Sequence, residues 1–536
     1  MSRRLTQINE ASYQEHLRRL IGGIRADIDA ARSRTEAITE AIGERMEGIT
    51  SDEMHLLVGE KLSVGLEIGR LTGTLVVLSR DISPVARVPL DVLLEIFLLT
   101  EHNRQVNGRG PIPTAPWRLG HVCRSWRDAA LGYPLLWTDF TFNSVYITAC
   151  YKTRPNPALE YPLAAVQAQL RLSCAAPISV AFRMHGQVGS PEDLGSAEHV
   201  AALWDILIPE SHRWFRLSLS ATGWSTAVPL AALPRIRGRL DQLQHLVVGG
   251  IATEWETVHR DVFAVAPRLR QVEFDIDVSF MEAAIPLTFP WAQLTHLQIT
   301  AATDSGLDFL PSAQNLQRLT YHVPVDSFPE RPSTPFTLPH LSDLTLGIYG
   351  DEILSCLSSP NLRRVALDNT CEYTEVPEIQ DEEDRLRLLA ALIRRSGCSL
   401  ETLRFESIVE TAETLAVLEL CPNLTSLYLG EAQSYAPSVL PEMFVALTLE
   451  PGATPLCTKV GSFGVDHWHN TSEDFYNSLC HMIESRWNIP SDLRYLKNLD
   501  LPSYNEPPFD TARLESLARD GLCITRFHFR TSPVRS

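Results

Sequence analysis

The feature that most constrains the fold is a recurring apolar triplet of the form L-x-x-L-x-L, found from about residue 160 onwards. Side chains on a β-strand alternate between its two faces, so the second and third members of each triplet point the same way on a short strand. The copies are Trp214/Leu217/Leu219, Leu243/Leu246/Val248, Leu269/Val272/Phe274, Leu294/Leu297/Ile299, Leu316/Leu319/Tyr321, Leu341/Leu344/Leu346, Leu362/Val365/Leu367, Leu400/Leu403/Phe405, Leu424/Leu427/Leu429, Val460/Phe463/Val465 and Leu496/Leu499/Leu501.

The spacing of these triplets fits a leucine-rich repeat. Copies between Leu243 and Leu424 start 26, 25, 22, 25, 21, 38 and 24 residues apart. A leucine-rich repeat contains one strand and a returning helix or loop in roughly 20–29 residues. Because one such unit cannot close its own core, neighbouring units stack and share one. The sequence therefore predicts a divergent leucine-rich-repeat-like α/β solenoid with a C-terminal cap over residues 141–536. The alternative is an ordinary α/β sheet with leucine-rich strands.

Helices are predicted at three places within this array. The insertion before Leu400 starts at Gln380 with the acidic run 381–384 and continues with apolar residues at helical spacing. A second helix is predicted over residues 473–486. The last segment predicts a short helix that ends at Gly521 and is followed by a final strand.

The first 82 residues predict long helices. Between residues 13 and 50, seam positions alternate by three and four, which is the 3.5-residue period of a left-handed coiled coil. Residues 54–80 are again apolar at helical spacing, which favours a second helix that folds back on the first. A single amphipathic helix packed on its own domain is the alternative. The seam positions of the first segment are Ile21, Ile24, Ile28, Ala31, Thr35, Ile38, Ile42, Arg45 and Ile49.

A third region, residues 83–140, consists of two apolar helical segments around a polar interruption. Pro89 falls in the first turn of the first helix, where proline is tolerated. Residues 101–118 are rich in Gly, Pro and Asn and predict an inserted loop. One face of the first helix is predicted to carry Val88, Val92, Leu93, Ile96, Phe97 and Leu99, and one face of the second Leu119, Val122, Cys123, Trp126 and Ala130.

So small a helical module cannot bury all of its large apolar side chains against itself. Leu93, Ile96, Phe97, Trp126 and Trp137 must in part be covered by another surface. That surface is either a partner protein or the neighbouring array.

Composition sets the class of protein and its partners. Of the 536 residues 44% are hydrophobic and 21% charged, as in a globular protein, and the formal net charge is −18. An acidic chain argues against nucleic-acid binding, which needs a basic face. No secretory signal and no run of about 20 apolar residues is visible, so we expect no membrane partner. The ten cysteines include no C-x-x-C pair. We expect reduced, mostly buried thiols and a cytoplasmic or nuclear location.

The sequence contains no catalytic motif that we can identify. It lacks the G-x-S-x-G, H-E-x-x-H, G-x-x-x-x-G-K-[ST] and G-x-G-x-x-G patterns. His467 and His469 lie on one side of a predicted strand and, with Asp466, could chelate a metal, but edge-strand histidines are the favoured interpretation. The acidic run 381–384 is interpreted as a solvated helix start. We predict no catalytic residues, metal or cofactor, and a protein that is not an enzyme.

Residues 122–127, V-C-R-S-W-R, followed by L-L-W at 135–137, resemble the F-box, the helical module that docks substrate receptors onto the Skp-family adaptor of SCF ubiquitin ligases. The preceding segment, from Val88 to Phe97, matches the first part of the same pattern. The inserted loop 101–118 departs from it. The layout as a whole resembles the large F-box-like family of mushroom-forming (basidiomycete) fungi. The partner-binding residues that the resemblance implies are Pro89, Val92, Leu93, Ile96, Phe97, Leu119, Val122, Cys123, Trp126, Arg127 and Trp137.

The fold class expected from these patterns is α+β: N-terminal helices and a helical F-box-like module, followed by the solenoid. The resemblance implies a non-catalytic substrate receptor that binds the Skp-family adaptor, and through it a cullin ligase, while the array binds an unknown target protein. A protein-interaction scaffold without ligase coupling is the alternative, and an enzyme on another α/β fold is a third hypothesis. The residues expected to face outward from the array include Gln271, Glu273, Gln298, Arg318 and Tyr428.

Overall fold

The protein combines N-terminal helices with a long parallel β-sheet, which agrees with the predicted α+β class. The structure is a computed structural model. It describes residues 2–44, 50–82, 88–102, 114–143, 160–185, 201–222, 232–249, 260–275, 287–300, 307–322, 334–347, 350–368, 382–406, 411–430, 439–450, 456–466, 473–490, 494–502 and 512–527.

The chain divides into two compact units. The first comprises Met1–Gln105 and Val122–Ala130, and the second Val106–His121 and Leu131–Ser536. The first five helices are α1 (Ser2–Glu44), α2 (Ser51–Ile82), α3 (Leu90–His102), α4 (Thr114–Val122) and α5 (Arg124–Leu131).

Helices α1 and α2 form an antiparallel hairpin. Ile24 and Ile28 of α1 pack with Leu71 of α2, while Ala31 and Ile38 pack with Val64. The positions that α1 buries are those of the predicted seam, since Ile21 and Ile24 through Ile38 recur at spacings of three and four. The structure therefore confirms that the second helical segment, α2, folds back on the first, α1.

Thr50 and Glu53 fix the start of α2. The Thr50 N–H donates to Oε2 of Glu53 at 3.1 Å, and the Glu53 N–H donates to Oγ1 of Thr50 at 3.4 Å. This reciprocal pair is a capping box, which satisfies two backbone donors that the first turn of a helix leaves unpaired. The second helix thus starts at a defined residue after residues 45–49, which lie outside the described part of the chain.

Residues 51–79 of α2 are long and apolar enough, by length and composition alone, to cross a membrane, and little of this stretch is buried. Glu67 and Arg70 interrupt this stretch, so the sequence contains no continuous run of about 20 apolar residues there. The expectation that the protein has no membrane partner stays a prediction.

The described residues of the second unit form a sheet of fourteen parallel strands. Strands neighbouring along the chain are neighbours in the sheet, except for a separate pair formed by β8 and β10. The order of the described strands never reverses, as it would in a doubly wound sheet. The strands are β1 (Asp139–Asn143), β2 (Ile178–His185), β3 (Trp214–Thr222), β4 (His245–Gly249), β5 (Gln271–Asp275), β6 (His296–Thr300), β7 (Arg318–His322), β8 (Phe336–Thr337), β9 (Asp343–Leu346), β10 (Leu357–Ser358), β11 (Arg364–Leu367), β12 (Thr402–Phe405), β13 (Ser426–Gly430), β14 (Ser462–Asp466), β15 (Asn498–Pro502) and β16 (Cys523–Phe527).

Every predicted apolar triplet enters one continuous core. The register pairs equivalent positions from strand to strand, so that Leu246 lies beside Val272 and Val272 beside Leu297. All members of the eleven triplets are buried. The alternation of β6, with Leu297 and Ile299 buried and Gln298 exposed, leaves the intervening side chains on the outer face of the sheet.

The helices predicted within the array are also observed. The acidic insertion becomes α8 (Glu382–Ser396), the 473–486 segment becomes α11 (Glu473–Trp487), and the last helix ends before Gly521, which has a φ of +107°. A left-handed backbone favours glycine, which explains why the chain turns there. The helices are α6 (Glu160–Leu172), α7 (Glu352–Cys356), α8 (Glu382–Ser396), α9 (Thr411–Glu419), α10 (Leu440–Leu447), α11 (Glu473–Trp487) and α12 (Ala512–Arg519), and residues 201–207 are helical as well.

Candidate protein-interaction surfaces

Helix α3 has two apolar faces, which corrects the prediction of a single one. Leu93 and Phe97 point inward, with 5% and 0% of their surface exposed. The Phe97 ring meets the Trp126 ring of α5 edge-on, with centroids 4.9 Å apart and planes at 61°. The ring contact joins α3 to α5. Leu93 and Phe97 are buried in the interior of the first unit.

A neighbouring side of α3, roughly 110° around the helix at 100° per residue, exposes a second apolar stripe. Val92 and Ile96 are 47% and 43% exposed, and Leu99, one turn further on, is 63% exposed. Leu90 and Pro89 lie exposed at the start of the helix. Residues at i, i+4 and i+7 share a helix face, so these side chains form one patch. We call Val92, Ile96 and Leu99 the α3 stripe.

The second half of the predicted module is two helices and not one. Helix α4 ends at Val122 and α5 begins at Arg124, with the Arg127 N–H donating to the carbonyl of Cys123 at 3.0 Å. The break leaves Val122 60% exposed and Cys123 exposed. The prediction that both would share one face with Trp126 is therefore wrong. Trp126 is half-buried, and Arg127 lies at the surface.

The predicted loop 101–118 is shorter than expected. Helix α3 extends to His102, and α4 begins at Thr114, so residues 114–118 are helical. Pro116 lies in the first turn of α4, where its missing N–H costs nothing. The loop itself, residues 103–113, lies outside the described part of the chain.

The predicted partner-binding residues fall in both compact units. Pro89, Val92, Leu93, Ile96, Phe97, Val122, Cys123, Trp126 and Arg127 belong to the first unit, and Leu119 and Trp137 belong to the second. Leu119 and Trp137 are buried, and Trp137 meets Trp117 edge-on at 4.8 Å. The amide of Gln169 donates to the carbonyl of Asp139 at 2.6 Å, just beyond Trp137. Trp137 is thus a core residue of the second unit.

The outer face of the long sheet is the second candidate surface. Parallel register places His245, Gln271, His296, Arg318, Asp343 and Arg364 in one row across neighbouring strands, and Glu273, Gln298 and Thr320 in the next. Gln298 and Arg318 are exposed, and Gln271, Glu273 and Tyr428 are half-exposed. All five residues named from the sequence as outward-facing do lie on this face.

Charge alternates along the first row. Asp343 accepts hydrogen bonds from Arg364 and Ser342. Burial raises the pKa of Asp343, but these hydrogen bonds and the charge of Arg364 outweigh it and keep the pKa below its usual value. Burial and a neighbouring arginine lower the pKa of both His245 and His296. These histidines are therefore neutral at pH 7, and the row carries its charge on arginine and aspartate.

Tyr428 and Arg404 form a stacked pair on the same face. The Arg404 guanidinium lies 4.2 Å from the centroid of the Tyr428 ring, and its Nη2 lies 2.6 Å from Oε1 of Glu406. On the next strand, a Cβ at Gly464 would lie 2.9 Å from Cε2 of Tyr428 and still closer to Cδ2. Glycine is required there because the ring occupies the place of a side chain. The sequence analysis named Tyr428 but gave no reason to single out Gly464.

Two carboxyl groups meet at the ends of β11 and β12. Burial, followed by the hydrogen bond and the charge of Asp368, raises the pKa of Glu406 to about 7, against the opposing effect of Arg404. Two carboxylates in contact favour sharing one proton. The sequence gives no sign of this pair, because its members lie 38 residues apart.

Metal binding finds no support in the part of the chain that the structure describes. No group of three or more His, Cys, Asp or Glu side chains is placed to hold an ion. His467 and His469 lie outside the described residues, as does Asp381.

Buried arginines hold the loops of the array together. Arg486, 5% exposed, donates to the carbonyls of Leu447, Leu456 and Cys457 at 2.7–3.0 Å. Arg385 donates to the carbonyls of Leu346 and Gly347, both at 2.9 Å. Each guanidinium donates to a backbone carbonyl at the end of a strand or helix. Their role is structural, and no local sequence pattern marks them.

Comparison of the sequence with models of known protein families gave no match. A comparison with curated proteins likewise gave no significant relative. The resemblance of residues 88–137 to the F-box therefore depends on the residues quoted above.

Proposed function

We propose that this protein is a non-catalytic substrate receptor of an SCF-type ubiquitin ligase. In this proposal the α3 region is an F-box-like module that binds the Skp-family adaptor, and the sheet is a leucine-rich-repeat-like solenoid that binds a target protein. Ubiquitin transfer belongs to the partners. The receptor acts by proximity, since holding a target near the charged carrier raises its effective concentration.

The observation that carries the proposal is the division of α3 into two faces. Phe97 joins α3 to α5 and Leu93 is buried on the same side of the helix, whereas Val92, Ile96 and Leu99 are exposed. An apolar stripe at i, i+4 and i+7 is the form that a helix presents to a hydrophobic groove. Val122 and Cys123, also exposed, belong to the V-C-R-S-W-R segment that resembles the F-box.

The solenoid is supported by the order and register of the strands. Each strand of the large sheet pairs with the next one along the chain, in parallel and with equivalent positions aligned. Repeats that stack on their neighbours give this order, and all the triplets are buried in one shared core. The outer face, with its rows of arginine, aspartate, histidine and tyrosine, is the proposed target-binding surface.

The test is binding of the purified full chain to a purified Skp-family adaptor, measured by calorimetry. Val92→Asp and Ile96→Asp place a charge in the α3 stripe, and we expect each to weaken binding by 10-fold or more, since a central interface residue contributes about 1–2 kcal/mol or more. Both side chains are exposed, so the fold should survive. Val265→Asp, which alters a 60% exposed valine of the second unit, is the matched control.

Two results would count against the proposal. If the wild-type chain does not bind the adaptor, the receptor function is wrong. If Val265→Asp weakens binding as much as Ile96→Asp, the contact does not involve the α3 stripe. A scaffold without ligase coupling is the second candidate, favoured by the alternating charges of the outer sheet face, and it predicts a bound target protein in the absence of adaptor binding.

A further inference from the structure

Helix α2 has a second apolar face that α1 does not cover. The face packed on α1 includes Val64 and Leu71, which are buried. On the opposite side, half a turn away at 100° per residue, five large side chains lie exposed. They are Val58 (42% exposed), Leu62 (66%), Leu66 (78%), Val76 (64%) and Val77 (62%). We call these residues, together with Gly69 and Gly73 between them, the α2 outer face.

The residues of the α2 outer face lower the stability of the chain when nothing covers them. Each exposed leucine or valine forgoes part of the roughly 1.5–3 kcal/mol that full burial provides. Each helical glycine costs roughly 1 kcal/mol relative to alanine. A Cβ built at Gly69 or Gly73 has no atom of a described residue within 4 Å, so no described residue requires glycine there. Both costs are offset if a second helix packs closely over the glycines and covers the leucines.

A lipid bilayer is disfavoured as the covering surface. Inserting α2 would carry α1 with it, because the two helices share a seam. Arg34 of α1 contacts Glu60 of α2 at 3.2 Å, and Asp29 and Arg32 lie exposed on α1. Each charged residue at the centre of a membrane costs about 2.5–3.5 kcal/mol or more. A protein helix in water avoids that cost.

The face is complementary to itself. If two α2 helices cross antiparallel about Gly69, residue numbers that face each other add up to about 138. Leu62 then faces Val76 of the second copy. Leu66 faces the space above Gly73 of the second copy. The two-fold axis repeats both pairings, apolar Leu62 on Val76 and large Leu66 on small Gly73, on each half of the contact, as in an isologous interface.

The area agrees with a reversible dimer. At about 25 cal/mol per Å², one fully buried side chain of this kind corresponds to roughly 60–120 Å². At the exposures observed here, ten such side chains from two copies would bury roughly 400–700 Å² of apolar surface. Since about 60% of an interface is apolar, the whole contact is roughly 700–1,200 Å². This is near the lower limit of about 1,000 Å² for a specific interface.

We propose that the α2 outer face pairs two copies of this chain in an antiparallel, reversible dimer. The proposal does not depend on adaptor binding, because none of its residues belongs to the F-box-like stretch. Dimerisation would present two α3 stripes and two sheets in one particle.

The test is the mass of the full chain in solution, measured by sedimentation over a range of concentrations. We expect the wild-type protein to shift from monomer to dimer with concentration, and Leu66→Glu to remain monomeric. Leu66 is 78% exposed and glutamate is a good helix former, so the helix should persist, which circular dichroism checks. Val445→Glu, at a 65% exposed valine of α10, is the control and should still dimerise.

Cysteine pairing tests the orientation. A mixture of Leu62→Cys and Val76→Cys chains should form a mixed disulfide dimer on oxidation, while Leu62→Cys alone should not exceed the background of the wild-type thiols. A monomer at every concentration, or a dimer that Leu66→Glu leaves intact, would overturn the proposal. Flotation of a monomeric wild-type chain with phosphatidylcholine vesicles containing anionic lipid would overturn it as well, in favour of a membrane surface.

Discussion

The Phe97 and Trp126 rings meet edge-on with centroids 4.9 Å apart, which joins α3 to α5, two helices that α4 separates in the sequence. Phe97 is fully buried and Trp126 half-buried. This contact decides which face of α3 is buried in the protein's own core. It therefore also decides which face is left for a partner.

We first predict that Phe97→Ala destabilises this helix pair by about 3–5 kcal/mol, because a large buried ring is replaced by a cavity. Val92→Ala, on the exposed side of the same helix, should cost less than about 0.5 kcal/mol. Hydrogen exchange of the α3 and α5 amides measures both. Equal losses of protection in the two variants would show that the faces are not divided as described.

The second prediction concerns Gly464 and Tyr428. Gly464→Ala should destabilise the array by about 1–3 kcal/mol, because the new methyl group overlaps the Tyr428 ring. Tyr428→Ala in the same chain removes the overlap, so the double variant should lose much less than the sum of the two single changes. Urea unfolding of the four chains gives the coupling energy. Additive losses would indicate that Gly464 is needed for another reason.

The third prediction is a pH dependence set by Glu406. Its pKa is raised to about 7 in the folded protein, through burial and the neighbouring Asp368, from an ordinary value near 4.5. Between those values the folded state binds more protons than the unfolded state, so stability falls as the pH rises from about 4.5 to 7.

Urea midpoints at pH 5 and pH 7.5 measure this effect. Glu406→Gln should reduce the fall between the two, since glutamine stays neutral in both states. Glu419→Gln, at an exposed glutamate of α9, is the control and should follow the wild type. A Glu406→Gln chain whose midpoint falls between the two pH values as much as that of the wild type would refute the shared proton.

The fourth prediction separates the cysteines by reactivity. Burial, with the neighbouring Cys457 and Cys398, raises the pKa of Cys421 to about 12, and burial raises that of Cys457 to about 11 against the opposing charge of Arg486. Only a thiolate reacts quickly with an alkylating reagent. At pH 8 iodoacetamide should modify the exposed Cys123, Cys174 and Cys523 first. Mass spectrometry of Cys421 and Cys457 should show modification only after unfolding, and early labelling of either would contradict their burial.

The spacing of apolar residues predicted the buried side chains correctly wherever a helix or strand buries a single face. The triplets located their strands because an apolar residue at every second position has a single inward side. The seam of α1 was readable for the same reason. The method was wrong at α3, where apolar residues occur on both sides and a pattern of spacings does not tell which side the rest of the protein covers. Contacts between distant positions, such as Asp368 with Glu406 or Tyr428 with Gly464, leave no local pattern at all.

The sequence by itself determined the repeat, the positions of its strands, the N-terminal helices and the stretch that resembles an F-box, because each depends on the local order of apolar and polar residues. Only the tertiary structure decided that Leu93 and Phe97 point inward while Val92 and Ile96 point outward, and that α2 folds back on α1 with one apolar face left open. Those outcomes depend on which surfaces meet in space. Whether a side chain is buried depends on the folded chain around it, and the residue type alone does not fix it.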